Sequence, residues 1–348
     1  MSSAEIRPRV IVFALGGTIA MSRTSTGGVA PALSADQLIA AIPGLGDTEI
    51  EVEVVDFRQL PGASLKVSDV TALADAIDDR LANADGAVVT QGTDTIEETA
   101  YLLDLLHTAA QPVVVTGAMR NPTLAGADGP ANLLAAIQTA ADPQARHQGC
   151  LVVFGDEIHA ARRVRKTHTT STATFQSANG GPLGYIVEGH PRLLNHLTHR
   201  TNVPAKPVDD TRVAIMTIVL GDDGTTLRAV SEHVDGLVIA GLGAGHVPAD
   251  LVPILENLAS RIPVVLACRT GAGSVLESTY GFPGSERDLL SRGLISAGYL
   301  DPIKARILLH TLLATDCDNQ AIAAAFGAAG GYRDPETWPW PTDLSEGN

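Results

Sequence analysis

Cysteine is scarce in this chain: Cys150, Cys268 and Cys317 are the only three in 348 residues, and they lie far apart. That excludes a disulfide scaffold and any CxxC metal knuckle. Positive charge is also short, with 24 Lys and Arg against 39 Asp and Glu and a formal net charge of -15. Such a balance argues against a nucleic-acid backbone or an anionic membrane as the main partner. No apolar run reaches the ~18 residues of a membrane span. The start, with Glu5, Arg7, Pro8 and Arg9, lacks the apolar stretch of a signal peptide. The expectation is a cytoplasmic protein with no nucleic-acid and no membrane partner. Common catalytic signatures are missing too. There is no Gly-Lys pair and hence no GxxxxGK[ST], no HExxH and no GxSxG.

What is present is a large apolar fraction, 45% of residues, enough to rule out a wholly disordered chain. Short β-branched runs recur: Val10–Leu15, Gly86–Thr90, Val113–Thr116, Leu151–Phe154, Val213–Val219, Leu237–Ala240 and Val264–Ala267. Most do not alternate with polar residues, the pattern of strands covered on both faces. Helical stretches lie between them: Ser68–Leu81 with Ser68 as cap, Thr95–Leu106 with Thr95 and Glu98 at capping-box spacing, and Pro130–Ala141. Asp250–Leu258 and Pro302–Ala314 follow the same style, and a further helix is expected around Asn319–Phe326. The alternation predicts an α/β fold with a mixed, mostly parallel sheet. Residues 193–212 are polar, carry Pro204 and Pro207 and lack an apolar period. They divide a larger N-terminal domain (8–192) from a smaller C-terminal α/β domain (213–328), with a tail over 329–348. In that tail Trp338 and Trp340 either dock on a surface or fray with it.

In parallel sheets ligands gather beyond the carboxyl ends of the strands. Three such loops are rich in small polar residues. Gly16-Gly17-Thr18 follows the first strand; its glycines permit close backbone approach and place Thr18 at the mouth. Gln91-Gly92-Thr93-Asp94-Thr95 sets a hydroxyl beside a carboxylate. Thr95 reads as the helix cap, which leaves Thr93 and Asp94 to face a ligand. Thr93 could hold a water or act as a nucleophile, and Asp94 could receive an ammonium. Thr116-Gly117-Ala118-Met119-Arg120 comes third, with Asp128 placed to pair with Arg120 and to cap the next helix. Of only four lysines, Lys166 lies in the basic run Arg162–Lys166 of an acidic protein. Arginine neighbours disfavour the charged form of a lysine, so Lys166 is a candidate proton acceptor for a threonine. Gly241–His246 follows a strand but carries His246 where a dinucleotide fingerprint needs its last glycine. It reads as another tight loop facing substrate. His196 and His199 lack an acidic or cysteine partner at metal spacing.

Taken in order, five segments resemble the bacterial-type L-asparaginase/glutaminase family of threonine amidohydrolases. They are Leu15–Ala20 (LGGTIA), Gln91–Leu106 (QGTDTIEETAYLLDLL), Pro112–Ala136, Lys166–Ile186 and Leu300–Leu309 (LDPIKARILL). The resemblance spans roughly Val10 to Phe326. It implies a large N-terminal α/β domain and a small flavodoxin-like C-terminal domain. It also implies a homotetramer of intimate dimers, with each site shared between two subunits and no cofactor or metal. The implied reaction is hydrolysis of the side-chain amide of asparagine. Thr18 matches the nucleophile, Thr93 the second threonine, Asp94 the adjacent carboxylate and Lys166 the lysine. Gly17, Ser64, Gly92, Asp94 and Ala118 match the substrate-binding positions, with Ser64 on the α-carboxylate and Asp94 on the α-ammonium.

Departures from the family pattern are local. The loop Met21–Val29 has no tyrosine, although many members carry one there. Leu65 follows Ser64 where a glutamine is often found. His246 stands near the position of a partner-donated asparagine, and Tyr280 is the aromatic candidate where the partner-donated glutamate lacks a counterpart near Glu277–Tyr280. Two other functions use the same motifs. One is the amidohydrolase subunit of a tRNA-dependent amidotransferase, against which the acidic charge weighs. The other is a non-catalytic asparagine sensor, against which the retention of Thr18, Thr93, Asp94 and Lys166 weighs.

Overall fold

The computed structural model describes residues 7–17, 21–23, 29–31, 37, 39 and 42–341. The chain divides into two compact units between Arg200 and Thr201. In the first unit the strands are β1 (Arg9–Ala14), β2 (Met21–Arg23), β3 (Val29–Pro31), β4 (Glu51–Asp56), β5 (Gly86–Thr90) and β6 (Val113–Thr116). They continue as β7 (Cys150–Phe154), β8 (Glu157–Ala160), β9 (Arg165–Lys166), β10 (Phe175–Gln176), β11 (Gly184–Val187) and β12 (His190–Leu193). Eight of them form one sheet in the order β12-β11-β8-β7-β6-β5-β1-β4. From β4 to β7 the neighbours are parallel, and β8, β11 and β12 extend the sheet antiparallel.

The central strands are buried on both faces, as their unbroken apolar runs predict. On one face Leu133, Ala136 and Ile137 of the helix Gly129–Ala141 pack with Val88, Val114 and Leu151. The helix Ile96–Leu106 packs on β6 and β7 and covers the opposite face. Strand β4 escaped the sequence reading because Glu51 and Glu53 interrupt its apolar run. It is an edge strand, and Glu53 is held there by Arg9 at 2.7 Å and Arg80 at 2.6 Å. The antiparallel extension also escaped, although its turns are marked. Asp156 after Gly155, and Gly189 after Glu188, all have positive φ and close two-residue hairpins.

Two expected caps are corrected. The helix Val67–Leu81 begins one residue early, with Lys66 at the N-cap, and its backbone N–H donates to Asp69 Oδ2 at 3.0 Å. Ser68 therefore lies inside the first turn. Thr95 does occupy the N-cap of Ile96–Leu106 but makes no side-chain cap bond. Its hydroxyl is committed elsewhere, as described below.

The second unit is a four-stranded parallel sheet, β13 (Val213–Thr217), β14 (Gly236–Gly241), β15 (Val264–Cys268) and β16 (Ile295–Ser296), in that order. Its helices are Thr225–Ser231, Val252–Ala259, Glu286–Ser291, Pro302–Leu312 and Asn319–Ala329. Asp301 caps Pro302–Leu312 by accepting from the backbone of Ile303 and Lys304, and Asp318 caps the next helix through Ala321 N. Beyond the last helix Trp338 is buried and donates its indole N–H to Asn202 O at 3.1 Å. Its ring meets Trp340 edge-on at 5.3 Å. Among the described residues no helix is long and apolar enough to cross a membrane.

Candidate active site

The sheet order β6-β5-β1-β4 brings four loops side by side at the carboxyl ends of adjacent parallel strands. Backbone bonds stitch them together. Leu15 N donates to Thr90 O at 2.9 Å, Leu60 N to Leu15 O at 3.0 Å and Gln91 N to Thr116 O at 3.1 Å. The loops meet backbone to backbone, which requires glycine. Gly17 has φ +91, and a Cβ there would lie 2.2 Å from Gly92 N. Gly62 touches the other side of the same residue, since its Cβ would lie 2.9 Å from Gly92 O. Thr95 locks this contact by donating its hydroxyl to Gly62 O at 3.0 Å, and Gln91 Nε2 donates to Thr95 Oγ1 at 3.2 Å. The hydroxyl expected to cap a helix instead ties the loop of Ser64 to the loop of Asp94.

Thr93 opens a short 3-10 turn, Thr93–Thr95, that runs into the helix Ile96–Leu106. Lys166 reaches this turn from β9. Its Nζ donates to Thr93 Oγ1 at 2.9 Å and to Asp94 Oδ1 at 3.0 Å. The ammonium is sheltered, with 17% of the Lys166 side chain exposed, whereas Asp94 is 62% exposed. One end of the trio is thus fixed in the protein and the other is open to an incoming molecule. Ser64 is exposed at the end of the 3-10 turn Gly62–Ser64, and Ala118 is buried behind β6. Thr18 lies outside the described residues, directly after Gly17. The loop that lacks a tyrosine appears as the antiparallel pair β2–β3, with residues 24–28 outside the description.

The expected pairing of Arg120 with Asp128 takes another form. Asp128 accepts from the backbone of Met119 at 3.0 Å and of Arg120 at 2.8 Å, and Asn132 Nδ2 donates to it at 3.2 Å. The Arg120 guanidinium bonds Gly126 O instead, and Asp128 makes no side-chain cap bond. A carboxylate satisfied by two amides of one loop holds that loop more rigidly than a contact through a flexible arginine.

His246 and Tyr280 come together within the second unit. Their rings meet edge-on at 4.8 Å, and Phe282 lies 5.1 Å from His246. The carboxylate beside them belongs to Glu286, which the sequence reading passed over. Its side chain is fully buried and bonds His246 Nε2 at 3.1 Å. Glu286 also accepts from Thr279 N at 3.0 Å and Tyr280 N at 2.7 Å. Burial pushes this carboxyl up, but the bonds from the Tyr280 N–H, its own N–H and the His246 ring outweigh burial. Glu286 is held below the usual carboxylate range. Its signal in the sequence is slight: it is the first residue after the capping serine Ser285. Glu277, in the stretch where the resemblance finds no counterpart of the partner-donated glutamate, pairs with Arg333 at 3.0 Å.

Comparison with known proteins adds independent findings. The family described as Asparaginase, N-terminal matches residues 9–199, and the Glutaminase/Asparaginase C-terminal domain matches residues 212–326. The chain is 38% identical to a probable L-asparaginase of Deinococcus radiodurans over 323 residues, covering 92% of this chain and 97% of that one. It is 33% identical to L-asparaginase 2 of Escherichia coli, covering 92% of each. The crystal structure of a probable cytoplasmic L-asparaginase from Campylobacter jejuni superposes with a TM-score of 0.80 at 34% identity. That match covers 92% of this chain and 99% of the other.

Proposed function

The chain belongs to the asparaginase family, and from that membership we infer that it hydrolyses the side-chain amide of L-asparagine to L-aspartate and ammonia. The observation that carries the chemistry is the Lys166 ammonium bonded to both Thr93 Oγ1 and Asp94 Oδ1 beside the Gly17–Gly92 contact.

In this reading a threonine hydroxyl attacks the amide carbon. The C–N bond breaks, ammonia leaves with the hydroxyl proton, and an ester of the enzyme remains. Water then cleaves the ester, releases aspartate and restores the hydroxyl. Thr18 takes the first attack. Thr93 is the second hydroxyl, and Lys166 moves a proton between Thr93 and Asp94. Asp94 receives the α-ammonium, Ser64 the α-carboxylate, and Gly17, Gly92 and Ala118 line the substrate. Backbone amides of the glycine-bearing loops stabilise the developing oxyanion, for which one donor is worth roughly 3 kcal/mol.

The same proposal includes a homotetramer in which His246 and Tyr280 of one copy contact substrate bound by another. The exposure of Tyr280, 43%, supports this role. A cytoplasmic location completes it, supported by the likeness to a probable cytoplasmic L-asparaginase of Campylobacter jejuni. The test is ammonia release from L-asparagine, L-glutamine and D-asparagine in parallel. Thr18→Ala and Thr93→Ala should each abolish release with the fold retained. Wild-type turnover by either variant removes that threonine from the mechanism.

A further inference from the structure

Lys166 is the residue on which the trio depends, and its short strand is held from outside: it packs on the helix Ile96–Leu106, and next to it Thr167 N donates to the buried Thr174 O at 2.8 Å. Strands β9 and β10 have two residues each and, among the described residues, pair only with one another, Phe175 opposite Lys166 and Gln176 opposite Arg165. A ribbon this short is not stable alone. On the N-terminal side the buried Val164 holds the turn from β8. On the other side burial alternates, with Phe175 and Ser177 buried and Gln176 exposed. Phe175 packs on Phe154 at the end of β7, ring centroids 4.8 Å apart. Ser177 Oγ lies 3.0 Å from Nδ1 of His159. His159 sits in β8 opposite Val152 of the main sheet and is fully buried.

We propose that His159 is a positioning residue for the amide hydrolysis, acting through Ser177 to hold the β9–β10 ribbon where Lys166 reaches Thr93 and Asp94. This rests on the reading of Lys166 given above. Glu157, two residues before His159 and on the same face of β8, places Oε2 3.2 Å from Nε2. That carboxylate lies beside Nε2 without completing a hydrogen bond, and in the tautomer with the proton on Nε2 the Nδ1 atom accepts from the Ser177 hydroxyl. Burial keeps the ring neutral, with its pKa pushed down to about 4. In that tautomer the acceptor at Nδ1 is present throughout the neutral range. Ser177 is itself 9% exposed and so is an anchor, closed to substrate.

Ser177→Ala, His159→Gln and His159→Asn test this with two readouts. Steady-state ammonia release separates kcat from KM. Amine labelling of Lys166, referenced to the exposed Lys66 by mass spectrometry, reads the ribbon without any substrate. Ser177→Ala and His159→Gln should lower kcat about tenfold or more, shift KM by less than about threefold, and raise Lys166 labelling. The amide of His159→Asn reaches the place of Nδ1, which the amide of His159→Gln overshoots, so His159→Asn should recover most of the loss. A folded Ser177→Ala with wild-type kcat and labelling overturns the proposal, as does equal loss in the two His159 variants or an effect confined to KM. Should His159→Gln fail to fold, Ser177→Ala decides. Absence of ammonia release by the wild type would overturn the hydrolase reading alone, because labelling still judges the anchor.

Discussion

Replacing Lys166 separates what the trio does for stability from what it does for turnover. The Lys166–Asp94 pair is 3.0 Å apart, and Asp94 is 62% exposed. At that distance unit charges attract by about 1.4 kcal/mol in a water-like dielectric. Side-chain ordering and salt reduce the net contribution of so open a pair to below about 1 kcal/mol. Lys166→Met should therefore change the urea midpoint only slightly. Turnover should respond far more, because a positioned proton carrier contributes roughly 10²–10⁴-fold, or about 3–5 kcal/mol of barrier. Lys166→Arg sharpens the test. Arginine keeps the positive charge but does not give up its proton at working pH. It should restore whatever stability was lost and leave kcat depressed at least about 100-fold. The assay is ammonia release with urea unfolding on the same preparations. If Lys166→Arg turns over like the wild type, Lys166 serves as a fixed charge, and the proton-carrier role is refuted.

Three further outcomes follow from the packing and the shifted groups. Gly17→Ala forces a side chain into φ +91 and a Cβ within 2.2 Å of Gly92 N, so it should cost more than about 1 kcal/mol in urea unfolding and collapse activity as the loops part. Glu286→Ala leaves Thr279 N, Tyr280 N and His246 without their acceptor and should destabilise the protein by about 2–4 kcal/mol at neutral pH, read from the shift of the urea midpoint at unchanged m. Because the Glu286 carboxyl is held low, its stabilisation is present above the ordinary carboxylate pKa and is lost as pH falls through the lower folded value. His159 runs the other way from a paired histidine. Its pKa falls from 6.5 to about 4, so between these values the unfolded chain binds a proton that the folded chain refuses. Stability should drop by up to about 3 kcal/mol as pH falls across that window, and the drop should be shallower in His159→Asn, by urea titration at pH 7 and pH 4.5.

Much of the central sheet was legible because its strands are apolar without interruption, which marks burial on both faces. The elements that were missed share the opposite property. β4 carries Glu51 and Glu53 at an edge, and β8, β11 and β12 are short and mixed in polarity, with the β7–β8 and β11–β12 hairpins marked only by a single Gly beside an acidic residue. In the site, the adjacency of Thr93 and Asp94 is local and could be read from the chain. That Lys166 meets both of them is a contact across more than 70 positions, suggested by resemblance and given a distance only by the fold.

Hydroxyls and carboxylates were the hardest to assign. Thr95 and Asp128 each stand where a helix begins, and local rules make both of them caps. Each is spent on a neighbouring loop instead, Thr95 on Gly62 O and Asp128 on the amides of Met119 and Arg120. A cap bond competes with any other partner of similar strength, and tertiary packing supplied those partners. Glu286 and His159 carried no motif at all; only burial beside Tyr280 and Ser177 reveals them.

The sequence by itself determined the alternating α/β plan and the small-residue loops at the strand ends, because apolar period and glycine placement act over a few residues. Tertiary structure alone decided which loops touch, which hydroxyl braces which carbonyl, and what holds the ribbon under Lys166. Those outcomes depend on strand order and on competition among distant polar groups, neither of which is written in any local stretch of the chain.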